Sequence, residues 1–152
     1  MTTFERRHIL LSAAALSVPG CSKAAAAPRP ITIYKTESCG CCEGWVTHMR
    51  RANYLPRIVV VEDITPLSEK RGVPFKYSSC HMGEIEGYAL LGHIPPADVD
   101  RLLREKPKAI GLSVPGMPFG SPGMESPTGE KEAYEVLLLQ PGGKTTVFAR
   151  HA

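Results

Sequence analysis

Apolar and polar residues alternate along Ile31-Thr32-Ile33-Tyr34-Lys35-Thr36, the period of a strand with one buried face. Ser38-Cys39-Gly40 breaks the alternation, and a helix is expected to begin near Cys41. Beyond it Trp45, Val46, Met49 and Ala52 recur at the spacing of one helical stripe. After Pro56, the β-branched run 58–61 suits a buried strand. A short helix is predicted from about Pro66 to Arg71, ended by Gly72 and Pro74. Two strands follow, one around Cys80 and one across 88–93. Pro95-Pro96-Ala97-Asp98 then opens a helix carrying Val99, Leu102 and Leu103, which Lys106 and Pro107 close.

The resulting order, β-α-β-α-β-β-α, is that of a thioredoxin-like fold: a crossover makes a parallel pair, and the next two strands form an antiparallel hairpin. The expected class is therefore α/β, a thioredoxin-like mixed sheet with flanking helices. Two additions follow it. Residues 111–129 hold nine Gly or Pro residues, too many for a helix, and are expected to form an ordered loop or lid. Residues 134–139 and 145–149 flank Pro141-Gly142-Gly143 and read as a C-terminal β-hairpin. No internal repeat is evident.

The N-terminal segment has a different pattern. Arg6-Arg7 precedes an apolar run of about ten residues, the layout of an export signal and too short for a membrane span of roughly 20. The arginine pair resembles a twin-arginine signal, with Glu5 where Ser or Thr is usual. Val18-Pro19-Gly20-Cys21 resembles a lipoprotein cleavage box in which Cys21 would carry the lipid anchor, although Pro19 departs from it. Ordinary cleavage within Ala24-Ala25-Ala26-Ala27 is the alternative. Residues 1–27 are thus assigned to a leader and 28–152 to the mature domain, tethered by the Ala/Pro-rich stretch near their junction. The protein is expected in the periplasm.

Charge narrows the partners. Of the formal net charge of +3, +2 falls in residues 1–27, leaving +1 on the domain. Nucleic-acid binding needs a basic excess, and none is left here. Hydrophobic and charged fractions of 43% and 22% are those of an ordinary globular protein. No phosphate loop, nucleophile elbow or pair of catalytic carboxylates is apparent, so no catalytic residue and no organic cofactor site are assigned.

The informative chemistry is sulfur. Of five cysteines, Cys39, Cys41 and Cys42 crowd into one short stretch and Cys80 stands apart in the same domain. A disulfide framework spreads cysteines to close loops; crowding suits a metal or redox site. Cys39 and Cys42 have the C-x-x-C spacing of dithiol oxidoreductases, at a strand-to-helix turn where backbone N–H groups stabilise a thiolate. A third thiol at position 41 is superfluous for that reaction. Three thiolates suit a soft ion, and softness alone leaves copper(I), zinc and iron–sulfur centres open. Cys41 and Cys42 project in different directions, so they grip one tetrahedral ion awkwardly and suit a polynuclear copper(I) centre bridged by sulfur. Outside the cytoplasm these thiols oxidise, with Cys39 pairing to Cys41 or Cys42, and copper loading would then follow reduction.

Cys80-His81-Met82 supplies a further thiol, an imidazole and a thioether. In a thioredoxin-like fold the loop entering the third strand faces the cysteine turn, usually with a cis-proline. Cys80 takes that place here, which would close the site from the opposite side. Met117 is a candidate thioether ligand in a loop where no helical face demands it, and Met124 a weaker one. His93 reads as a satisfied core histidine, His48 as surface, and Trp45 as a core anchor or a cover for the site.

Ser38-Cys-Gly-Cys-Cys42, Ser79-Cys-His81, Glu86-Gly-Tyr88, Gly92-His-Ile-Pro95 and Gly116-Met-Pro-Phe-Gly-Ser-Pro-Gly-Met-Glu125 together resemble the CopG-like family of periplasmic copper-resistance metal-binding proteins. The resemblance spans about residues 31–150. It implies a thioredoxin-like fold and copper as the bound ion, held by Cys39, Cys41, Cys42 and Cys80 with His81. It also implies a role in copper sequestration or copper redox chemistry, with other periplasmic copper-handling proteins as partners. Many relatives carry Thr where this chain has Met82, which would either add a ligand or pack.

Overall fold

The structure, a computed structural model, describes residues 27–152; the leader segment with Arg6, Arg7 and Cys21 lies outside the described residues. The element order is β1 (Arg29–Lys35), α1 (Gly40–Arg51), β2 (Tyr54–Val60), α2 (Thr65–Lys70), β3 (His81–Ile85), β4 (Tyr88–Leu91), α3 (Pro96–Glu105), β5 (Gly111–Ser113), β6 (Tyr134–Leu139) and β7 (Thr145–His151). All seven strands join one mixed sheet in the order β2-β1-β3-β4-β5-β6-β7. Its first four strands have the expected thioredoxin-like arrangement, with β1 parallel to β2 and β3 antiparallel to both β1 and β4.

Period-2 alternation divides the core between the two sheet faces. Ile31, Ile33, Ile85 and Leu90 pack with Trp45, Val46 and Met49 of α1 and Val99 and Leu102 of α3. Met82, Ala89 and Leu91 point to the other face and pack with Ile64 and Val73 around α2. Met82 is 1% exposed in that second cluster, so it packs on the face opposite Trp45. Among the described residues no helix is long and apolar enough to cross a membrane.

Two boundaries differ from the sequence reading. Strand β2 begins at Tyr54 and runs through Pro56, because β2 is the sheet edge and an edge strand tolerates a residue without an N–H. The Gly/Pro-rich stretch is not all loop: Gly111–Ser113 forms β5, parallel to β4. Gly111 permits this approach, since a Cβ there would overlap the Ala89 carbonyl. The C-terminal hairpin forms as expected, antiparallel with a bulge at Val136/Leu137, and extends the same sheet through β5.

Candidate metal centre

Strand register brings the candidate residues to one end of the sheet. Lys35 at the end of β1 pairs with His81 at the start of β3, so the turn after β1 and the residue before β3 are neighbours. Met82 pairs with Leu91, which places the exit of β4, and therefore His93, at that same end. Leu91 in turn pairs with Ser113, and the Val114 N–H donates to the Leu91 carbonyl at 2.9 Å, so the loop carrying Met117 leaves there too. Segments far apart in sequence meet because β1, β4 and β5 end, and β3 begins, at the same end of the sheet.

The four domain cysteines form one group whose sulfurs lie within 4.8 Å of one another. Cys39 occupies the position before α1 and is disulfide-bonded to Cys42, with a Cα–Cα separation of 5.5 Å. Cys41 and Cys80 are free. The Cys41 sulfur lies 3.6 Å from that of Cys39 and 3.8 Å from that of Cys80, and the Cys42 sulfur lies 3.6 Å from that of Cys80. Cys80 thus bridges the triplet from the β3 side, and among the described residues no peptide bond is cis. On its other flank, Cys80 Sγ is 3.6 Å from His81 Nδ1 and 3.9 Å from the Met117 sulfur. Burial, then the neighbouring Cys41, push the Cys80 thiol up to about 11, so it holds its proton at neutral pH.

His81 and His93 are both fully buried. Their rings meet edge to face at 5.1 Å, and Trp45 lies over His81 with centroids 4.6 Å apart. Burial, and next the adjacent His93, push His81 down to about 3; burial also lowers His93, so both rings are neutral. His93 Nδ1 donates to the Pro122 carbonyl at 2.8 Å. Nε2 of each ring has no hydrogen-bond partner, so His93 is buried as expected of a core histidine but only half satisfied. Trp45 fills both roles proposed for it: it is fully buried, donates its indole N–H to the Ile94 carbonyl at 2.8 Å, and covers His81.

Residues 77–124 match the family model described as a protein of unknown function, DUF411. Two solved structures, "Copper resistance protein copG- Form 2" and "Copper resistance protein copG- Form 1", are each 37% identical to this chain. The first gives a TM-score of 0.76 over 82% of this chain and 99% of its own; the second gives 0.75 over 82% and 98%. No curated protein sequence matches. The chain belongs to the CopG-like family.

In this CopG-like domain the loop after β5 acts as a lid on α1. Gly44 and Gly123 make the contact: a Cβ on Gly44 would lie 2.7 Å from the Gly123 Cα, and one on Gly123 would overlap the Trp45 backbone nitrogen. His48 and Glu125 clasp the two segments at 2.6 Å, and Glu125 also accepts from the Gly123 N–H at 3.0 Å. Met124 serves the loop through its backbone, with its N–H donating to Ser121 and its carbonyl accepting from Gly120. Alanine is favoured over glycine in a helix by about 1 kcal/mol. Gly44→Ala is nevertheless expected to lower thermal stability and to open residues 114–129 to limited proteolysis, because the added methyl meets backbone that has nowhere to move.

Sequence reasoning missed three neighbours of the CopG-like site. Lys35 is 6% exposed, with Nζ 3.1 Å from Glu43 and 3.2 Å from the Thr36 carbonyl. The Ile31/Ile33/Lys35 alternation already placed it on the inward face. The His48–Glu125 clasp and the free Nε2 of His93 left no signal in spacing, since both depend on how the lid folds back.

Proposed function

We propose that this chain is an exported copper-resistance protein, its leader ending near residue 27, that binds several copper(I) ions through the thiolates of Cys39, Cys41, Cys42 and Cys80. His81 and Met117 stand at the margin of that cluster as further ligands. The observation that carries the reading is the convergence of four sulfurs from two distant segments within 4.8 Å. Soft thiolates favour copper(I), and adjacent thiolates in one cluster suit bridging between ions. The copper-resistance relatives supply the metal's identity. The Cys39–Cys42 disulfide is the oxidised form of two of the four proposed ligands; opening it takes two electrons and two protons and yields two thiols.

Anaerobic titration of the fully reduced protein is expected to take up more than one copper(I) per chain, and absence of tight binding would overturn the reading. The same titration reports protons. Burial raises the Cys80 thiol, so its ligation releases one proton, however many copper ions its sulfur bridges. Affinity therefore falls as pH falls, by about tenfold per pH unit for each proton displaced. Calorimetry in buffers of different ionisation enthalpy reads that release.

One observation favours a second reading. The Cys39–Cys42 pair is joined as a dithiol oxidoreductase would have it. That reading predicts insulin-reducing turnover that survives Cys41→Ser and Cys80→Ser. Inactivity on disulfide substrates removes it.

A further inference from the structure

We propose that the end of the sheet opposite the metal centre docks on an anionic phospholipid surface, through exposed basic residues that the fold gathers there. The inference rests on the export reading for the surface it meets, and on nothing at the copper site.

Topology brings the charges together. Strands β1 and β2 both start at this end, with Arg29 paired to Tyr54. Helix α1 returns to it, and the Arg29 N–H donates to the Asn53 carbonyl at 3.1 Å. Helix α3 returns beside it, where Lys106 lies 3.4 Å from Glu86 in the turn between β3 and β4. Helix α2 ends there too, since Arg71 donates to the Gly87 carbonyl in that same turn. The Ile110 N–H donates to the Leu139 carbonyl at 2.7 Å, which joins the segment with Lys108 to the hairpin turn with Lys144.

The small net charge of the domain therefore conceals a separation. Arg50, Arg51, Lys70, Arg104, Lys108 and Lys144 are all exposed, and among the described residues none makes an ion pair. The carboxylates Glu84, Glu86, Asp100 and Glu105 are already held by Arg71, Lys106, Arg29 and Arg101. Glu69 alone offsets the basic group locally. At the metal end, Glu37, Glu62 and Asp63 are exposed at the exits of β1 and β2 and carry the opposite sign. Helix dipoles favour basic residues at each helix end, but Lys108 and Lys144 lie in turns, where no dipole asks for them.

Two observations favour lipid over an acidic protein. The N-terminal segment enters the domain at Arg29, inside this basic end. A lipid on Cys21 would stand eight residues away, at most roughly 28 Å of extended chain, so this end would face the bilayer. Leu55, paired with Pro30 at the same end, is 62% exposed, an apolar group placed to enter the interface beside the cations. An anionic leaflet attracts the basic end and repels the acidic one, which orients the domain with its cysteines facing outward.

Partition of the mature, disulfide-bonded chain between water and vesicles tests this. Phosphatidylcholine vesicles containing roughly a third phosphatidylglycerol are expected to bind it at least about a hundredfold better than phosphatidylcholine alone at low salt. About 0.5 M salt is expected to abolish that preference. The ratio between the two lipids reads charge whether or not the N-terminus is acylated. Arg51→Glu with Lys108→Glu is expected to lower the ratio by at least about twentyfold, fivefold for each cation lost. Lys76→Glu with Lys131→Glu makes the same change of charge elsewhere and is expected to alter the ratio by less than about threefold. Circular dichroism checks both folds, and the wild-type ratio and its salt dependence stand without either variant. Equal partition of wild type onto the two lipids, or equal losses in the two folded variants, would overturn the proposal. Salt-sensitive binding to soluble polyglutamate without a lipid preference would assign the face to an acidic protein and overturn it as well. Failure here leaves the copper(I) titration intact, and failure of that titration leaves the vesicle result intact.

Discussion

Cys80→Ser is expected to cut copper(I) uptake by the reduced protein to one ion or fewer per chain and to weaken what remains by at least about a hundredfold. Among the described residues Cys80 is the one cysteine that reaches the cysteine turn from the β3 side, 3.8 Å from Cys41 and 3.6 Å from Cys42. Without it the remaining thiols all belong to one short turn and no cysteine sulfur faces them from the other side to enclose several ions. A serine hydroxyl is a hard donor that does not ionise near neutral pH and cannot bridge soft ions. The substitution is close to isosteric at a half-buried position, so unfolding free energy should change by less than about 1 kcal/mol. Competition with a chromophoric copper(I) chelator measures the affinity, and denaturation followed by circular dichroism measures the stability. Undiminished stoichiometry in the folded variant would place Cys80 outside the cluster.

Trp45→Ala is expected to give the largest loss of stability of any single substitution on α1, about 3–5 kcal/mol. The indole is fully buried, touches the space left by Gly83, and satisfies the Ile94 carbonyl. Its loss opens a cavity beneath the site and frees one face of His81. Trp45→Phe keeps most of the ring volume and loses the hydrogen bond, so an intermediate loss is expected. Urea unfolding of the disulfide-bonded form, followed by circular dichroism, separates the three proteins. Near-equal stability of Trp45→Ala and wild type would mean that the core at this end is held by other contacts.

Much of this was legible in the sequence because periodicity and punctuation agree. The 31–36 alternation, the α1 stripe and the proline pair before α3 each mark an element that the structure contains. The antiparallel β1–β3 pair then sets Cys80 beside the cysteine turn, so the facing position of Cys80 follows from topology once the fold class is known. What was not legible depends on tertiary context. Pro56 hides the first half of β2 because only its edge position makes proline acceptable. A three-residue strand inside a Gly/Pro-rich segment leaves no periodic signal, and β5 is held by pairing with β4 and β6 on either side. His93 was read as satisfied because spacing says nothing about how many partners a buried ring finds. The pairing of Cys39 was open between Cys41 and Cys42, and the first turn of α1 resolves it in favour of Cys42.

The central claim is that sulfur from the cysteine turn and from the start of β3 encloses copper(I) as one polynuclear centre. X-ray absorption on reduced, copper(I)-loaded protein addresses it most directly. The account predicts a first shell dominated by sulfur together with short copper–copper scattering, both diminished in Cys80→Ser. A mononuclear spectrum without copper–copper scattering, at full loading and unchanged by the loss of Cys80, would contradict it.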